Sequence, residues 1–323
     1  MKKAISFIIC SIAFNYSIAQ QDKQLTHYRY DKISFNPAAT GFKGICGTFI
    51  YRNQWDRVQD APNTAQFNVQ ANFPTPGFGV GLSYTHDAIG FQRNNTVTIN
   101  GAYHLRTSVG HLSTGIGLGI VNVGFSPTWI PPQTEDDPLL PDPVAGTGFD
   151  LNVGLYWNSS TLPYYVGIST THLAPPTLSN FNFSVARHYY LIAGYNLTLG
   201  TTRRIDIKPS TLVKADGAGM VFDLNVQGDV WLNNYSYLWG GITYRLSDAV
   251  AICAGYAFSP AESTKINMAK IGYSFDIMTN PLNTYGRGTH ELMLNFCFFP
   301  PPQGIGRHGN PFIMDYSGMV DRW

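Results

Sequence analysis

VFDLNVQGDV, residues 221–230, alternates almost without a break. Phe222, Leu224, Val226 and Val230 are apolar, Gly228 keeps their register, and Asp223, Asn225, Gln227 and Asp229 fall between them. A period of two describes a strand with two unlike faces. In a soluble sheet the polar face looks at water. In an outer-membrane barrel the apolar face meets lipid and the polar face lines the lumen. On that reading Asp223, Asn225, Gln227 and Asp229 face a wet or polar-packed lumen.

The pattern recurs along the chain. QFNVQANF sets Phe67, Val69, Ala71 and Phe73 against Gln66, Asn68, Gln70 and Asn72. TVTINGAYHL, FDLNVGLYWN and HELMLNFCFF repeat it, the last with Leu292, Leu294, Phe296 and Phe298 opposite Glu291, Met293, Asn295 and Cys297. About fourteen such segments, most near ten residues long, fit between 45–56 and 289–299, which is the length of a tilted spanning strand and an even number. Odd-numbered connections tend to be long, up to the stretch 124–148, and even-numbered ones short. The two-residue link Ser247-Asp248 breaks that trend. Long loops outside and short turns inside predict both termini in the periplasm. Aromatics near strand ends (Tyr51, Trp55, Trp157, Trp231, Trp239, Phe298) read as girdles at the two lipid interfaces. The fold class is therefore all-β: a closed antiparallel transmembrane barrel of about 14 strands over residues 45–299.

The flanks read differently. Lys2 and Lys3, the apolar run Ala4–Phe14, and small residues at Ser17 and Ala19 form a leader over 1–19, cleaved to leave Gln20 first. Its removal takes two positive charges, so the formal charge moves from +1 to −1, and nothing calls for nucleic acid. Residues 20–44 read as a periplasmic N-terminal segment outside the barrel, and 300–323 as a periplasmic tail. Cys46, Cys253 and Cys297, an odd and sparse set, are expected to pack as small apolar residues rather than as a disulfide framework.

Chemistry is thin. His86-Asp87 sits where an outer-rim site could lie, but adjacent strand residues point to opposite faces. There is no GxSxG motif or phosphate-binding loop, and the glycines of GIGLGI, 115–120, let a strand curve or pack closely. His104, His172 and His188 are scattered without metal-ligand spacing, and the acidic stretch TEDDPLLPDP, 134–143, reads as a solvated loop. No catalytic residue, metal or cofactor is assigned.

Four stretches together resemble the PorP/SprF family of type IX secretion outer-membrane proteins: QLTHYRYDKISFNPAATG (24–41), YRNQWDRVQDAPNTAQFNV (51–69), GLSYTHDAIG (81–90), and GYSFDI with GTHELMLNF (272–296). The tail 300–323 departs from the family pattern. The resemblance implies a non-enzymatic barrel of the secretion and gliding machinery, bound to the bilayer and to a secreted surface protein or a machine component. A passive porin-like channel is the alternative. It singles out Asn36, Pro37, Gly41, Tyr51, Arg52, Asn53, Gln54, Trp55, His290 and Glu291 as partner-binding or barrel-structural. Arg52 and Gln54 share one face of their strand, suited to fixing an internal loop or a partner's backbone. His290 and Glu291 open the last strand and are placed to bond across the seam with the first.

Overall fold

In the computed structural model Asp223 is fully buried while its neighbour Leu224 is 56% exposed. Asn225, Gln227 and Asp229 are buried on the same inner face, and Val226 and Val230 point outward. The structure describes residues 22–42, 44–73, 77–127, 143–174, 177–178, 183–199, 205–217, 219–233, 236–258 and 268–298. The leader, the tail 300–323 and nearly all of the acidic stretch 134–143 lie outside them.

Fourteen strands close into one antiparallel barrel: β1 Ile45–Asn53, β2 Asn63–Phe73, β3 Phe78–Ile89, β4 Gln92–Thr107, β5 Gly110–Phe125, β6 Val144–Ser159, β7 Tyr164–Thr171, β8 His188–Tyr195, β9 Ile205–Ala215, β10 Met220–Asn233, β11 Ser236–Arg245, β12 Ala249–Phe258, β13 Met268–Met278 and β14 Thr289–Phe298. Each pairs with its sequence neighbour, and β1 pairs with β14 to close the ring, Ile45 opposite Phe298 and Asn53 opposite His290. Closure leaves no unpaired edge, the condition for a sheet in hydrocarbon. The brief 246–248 connection is genuine. Ser247 takes a left-handed backbone, φ 60°, and Arg245 stays in register with Ala249.

Two ends can be distinguished. The two longest connections, β5–β6 and β7–β8, share one end with β1–β2 and β13–β14, here the loop end. The opposite, turn end carries the start of β1 and the end of β14.

Three sequence expectations change here. Residues 22–42 do not lie outside the barrel; they fill its lumen as a plug. Leu25, Tyr28, Phe35 and Ala38 are buried there, in one core with inward residues of the wall such as Ile50, Ile192, Trp239 and Met293. A lumen lined by Asn, Gln, Asp and aromatic rings offers partners for most polar groups of such a segment, which lowers the usual cost of burying it. Second, Asp22 lies at the loop end, bonded to His188 at the start of β8, whereas Phe298 ends β14 at the turn end. The described ends of the chain are thus on opposite sides of the barrel. Third, not every aromatic near a strand end faces outward. Trp239 is buried in the lumen against His27 and Tyr30, and Trp231 donates to Asp206 at 3.0 Å on the inner face.

Candidate functional site

The plug is held at three levels. Nearest the loop end is a chain of buried charges. Glu291 of β14 accepts the backbone N–H of Thr26 at 2.9 Å and of His27 at 2.8 Å, and lies 2.6 Å from His27 Nδ1. Arg52, its partner across the β1–β14 seam, donates to Glu291 at 2.9 Å, to Asp276 at 2.6 Å and to Thr26 Oγ1 at 3.1 Å. Asp276 also receives Arg245 at 3.0 Å, and Arg245 reaches Asp223 at 3.1 Å. Asp223 then accepts Gln24 of the plug at 2.6 Å. All of these charges are nearly inaccessible to solvent. Burying ions is costly unless each is paired and hydrogen-bonded, and here each has at least two partners. The network therefore fixes where the plug sits more than it adds net stability.

At mid-depth the contacts are mostly through aromatic rings, hydroxyls and amides. Tyr28 bonds Ser210 at 2.9 Å, and Tyr30 accepts Gln227 at 2.8 Å. Asn68 donates to Asp31 and to Ser34, the latter at 3.0 Å. Lys32 places its ammonium 3.4 Å above the Tyr165 ring, a cation–π contact, and donates to Tyr156 at 2.9 Å.

Toward the turn end, Asn36-Pro37-Ala38-Ala39 makes one 3₁₀ turn. Asn36 caps it: its Oδ1 accepts Ala38 N–H at 2.9 Å, and proline at the next position needs no donor. The Asn36 amide donates to the carbonyls of Leu155 and Ile168, at 2.9 and 3.2 Å, so the cap is also the anchor to β6 and β7. The turn fits because the wall is notched. A Cβ on Gly115 would overlap the Ala38 backbone, and one on Gly154 would overlap the Asn36 side chain. Gly41, at φ +78°, then brings its Cα against Gly79 and donates to Gln70 at 2.8 Å. GIGLGI is thus partly a seat for the plug.

The remaining residues singled out from sequence divide by face. Arg52 and Glu291 point in and meet across the seam. Tyr51 points out, and His290 bonds Tyr273 at 2.6 Å on the outer side. Asn53 is half-buried near the loop end. Gln54 and Trp55 begin the β1–β2 loop, where Gln54 N–H bonds Pro62 at 2.9 Å and Trp55 N–H bonds Thr289 Oγ1 at 3.2 Å. Asp56 pairs backbone to backbone with Gly288 and Arg287, so this loop and the β13–β14 loop form one rim. Below the rim is an open vestibule of about 480 Å³ whose lining includes Arg52, Gln54, Trp55, Arg245 and Asp276. His86 and Asp87 take opposite faces, His86 toward Asn95 and Asp87 toward Thr64.

Sequence reasoning missed two features here. Cys46 and Cys297 are opposite one another in the β1–β14 register and form a disulfide across 251 residues, so they do not pack as free thiols; Cys253 stays free. Both lie at inward positions of the first and last strands, a signal available once closure is assumed. Asp276 and Arg245 were also overlooked, though a charge at the inward phase of a spanning strand marks each of them.

Set beside known proteins, the structure is similar to the toluene transporter TbuX of Ralstonia pickettii, with 10% identity over 84% of this chain and 94% of that one and a TM-score of 0.51. It is also similar to a FadL homologue of Pseudomonas aeruginosa, with 12% identity over 82% and 93% and a TM-score of 0.47. At such identities the likeness is one of fold. No curated protein matches the sequence. Residues 17–296 match the type IX secretion system membrane proteins PorP/SprF. With that match over most of its length and a closed barrel of outer-membrane type, the chain belongs to the PorP/SprF family of type IX secretion and is an outer-membrane protein.

Proposed function

We propose that this barrel is a plugged, non-catalytic component of the type IX secretion and gliding machinery that holds a protein partner, either a secreted surface protein or a part of the machine. The observation that carries this is the filled lumen. Residues 22–42 run from the loop end to the turn end and are bonded to the wall at every level, which disfavours a passive porin-like channel. What is left for recognition is the rim of the β1–β2 and β13–β14 loops and the polar vestibule under it. Aromatic and arginine side chains, here Trp55 and the exposed Arg57 of the rim, are the types that anchor partners.

On this reading the leader 1–19 is removed on export, the loop end faces outward and the turn end faces the periplasm. The tail that follows β14 is then periplasmic, free to meet the machine, while the start of the mature chain lies near the outer rim.

The test is a gentle-detergent pull-down from native outer membranes, after cross-linking, with the tag in the β5–β6 connection. Stoichiometric recovery of type IX components or one large surface protein supports the reading. A barrel that comes down alone, and conducts ions steadily in planar bilayers, points to the channel instead.

A further inference from the structure

Two histidines that are 16 positions apart in the chain meet at the loop end of the lumen. His172 follows β7 and His188 opens β8. One ligand atom each of Asp22, His172 and His188 lies within 4.8 Å of the others. From this geometry we infer a divalent transition-metal site formed by Asp22, His172 and His188, which clasps the start of the plug to the barrel wall.

The outer contacts prepare both rings. His188 Nδ1 lies 3.0 Å from the Ala186 carbonyl, which sets the tautomer and leaves Nε2 facing Asp22. His172 Nδ1 lies 3.1 Å from Asp150 Oδ1, leaving its Nε2 as the ligand atom. A carboxylate or backbone carbonyl behind each imidazole is the usual support of a metal-bound histidine. Asp150 adds an independent observation. It is 1% exposed, and neither of its carboxylate oxygens receives a well-formed hydrogen bond from a described residue. A buried carboxylate in that state is costly. A cation on the far nitrogen of His172 holds the proton on Nδ1, and the turn of the ring that brings Nε2 onto the ion can align that N–H with Asp150.

The surroundings suit an ion. Asp22, Asp150, His172 and His188 line one cavity of about 90 Å³, enough for a cation with a water. Asp216 Oδ2, 3.5 Å from His188 Nε2, offers a further oxygen. Neither nearby ammonium bonds the Asp22 carboxylate: Lys214 donates to the Asp22 backbone carbonyl at 2.7 Å and Lys23 to Thr85 at 3.3 Å. Without metal, His188 Nε2 accepts the Asp22 N–H at 3.1 Å. An ion takes that lone pair and draws the three donors in by about an ångström to reach bonds near 2.0–2.1 Å. Two imidazoles with carboxylate favour Zn²⁺, Cu²⁺ or Ni²⁺ over Ca²⁺ or Mg²⁺, which need all-oxygen shells. The inference rests on the plug and its wall, not on the identity of any secretion partner.

The experiment uses the full-length protein in detergent, carrying no polyhistidine tag. Titration calorimetry with Zn²⁺ and metal analysis after dialysis should give one ion per chain, undiminished by excess Mg²⁺. Asp22→Ala and His172→Ala should each weaken binding at least tenfold. Zn²⁺ should also slow tryptic cutting after Lys23 in the parent and not in the variants. Folding of each variant is checked by heat-shifted mobility on gels; Asp22→Ala lies outside the strands and decides the matter if His172→Ala fails to fold. A folded parent that retains no Zn²⁺, or folded Asp22→Ala that binds as tightly as the parent, overturns the site.

Discussion

Arg52 and Glu291 face each other across the seam where the first and last strands meet, 2.9 Å apart, and together hold Thr26 of the plug. One ion pair thus joins barrel closure to plug placement. Arg52→Ala leaves Glu291 and Asp276 buried with too little positive charge, a change that typically costs about 3–5 kcal/mol. Denaturant unfolding in detergent should show that loss. Arg52→Lys should recover only part of it, because an ammonium cannot span two carboxylates as a guanidinium does. Full stability in Arg52→Ala would show that the network is not what holds this region.

The disulfide staples the same seam at the opposite, turn end. Thiol labelling of the denatured chain, freed of residues 1–19, should find one cysteine before reduction, Cys253, and three after it. Replacing both Cys46 and Cys297 by alanine should lower stability by about 2–5 kcal/mol, since a long loop is no longer closed in the unfolded chain. Three reactive thiols in unreduced protein would refute the pairing.

The glycine notches predict a plug that can be dislodged without touching a charge. Gly115→Val fills the space taken by the Ala38 backbone, and Gly79→Ala fills that of the Thr40 carbonyl. Each variant should still close its barrel and yet be cut by trypsin at Arg29 or Lys32, which the parent protects. Deleting residues 22–40 should raise single-channel conductance for the same reason. Unchanged protection in Gly115→Val would mean that the plug tolerates a shift of its turn.

The alternation in β10 predicts opposite tolerances at adjacent positions. Val226→Arg puts a charge among acyl chains and should cost about 2–4 kcal/mol if it sits near mid-membrane. Asn225→Ser, on the inner face, loses its bonds to Thr243, Ser210 and the Ile242 carbonyl and should cost much less. Folding yields into lipid vesicles, measured side by side, decide this; equal penalties would count against a lipid-facing Val226.

Much of this molecule is decided by local sequence. The period of two along 66–73, 97–105, 221–230 and 289–298 determines which residues face out and which face in, because a strand has no other way to arrange alternate side chains. The number of such segments and their even count point to a barrel, and the pairing of β1 with β14 closes it. The turn-forming pair Asn36-Pro37, and the inward charge of Arg52 and Glu291, are likewise visible without coordinates. What period alone does not encode is depth and partnership. Inward aromatics such as Trp239 carry the same alternation as outward ones, so only the packed lumen shows that His27 and Tyr30 surround it. Residues 22–42 have no period at all, and their place inside the barrel follows from contacts with strands on every side of the lumen, most of them distant in sequence. The Cys46–Cys297 bond, the Arg245–Asp276 bridge and the meeting of Asp22 with His172 and His188 are of the same kind. Each depends on how strands and plug come together at one depth of one lumen, and that is a property of the tertiary structure alone.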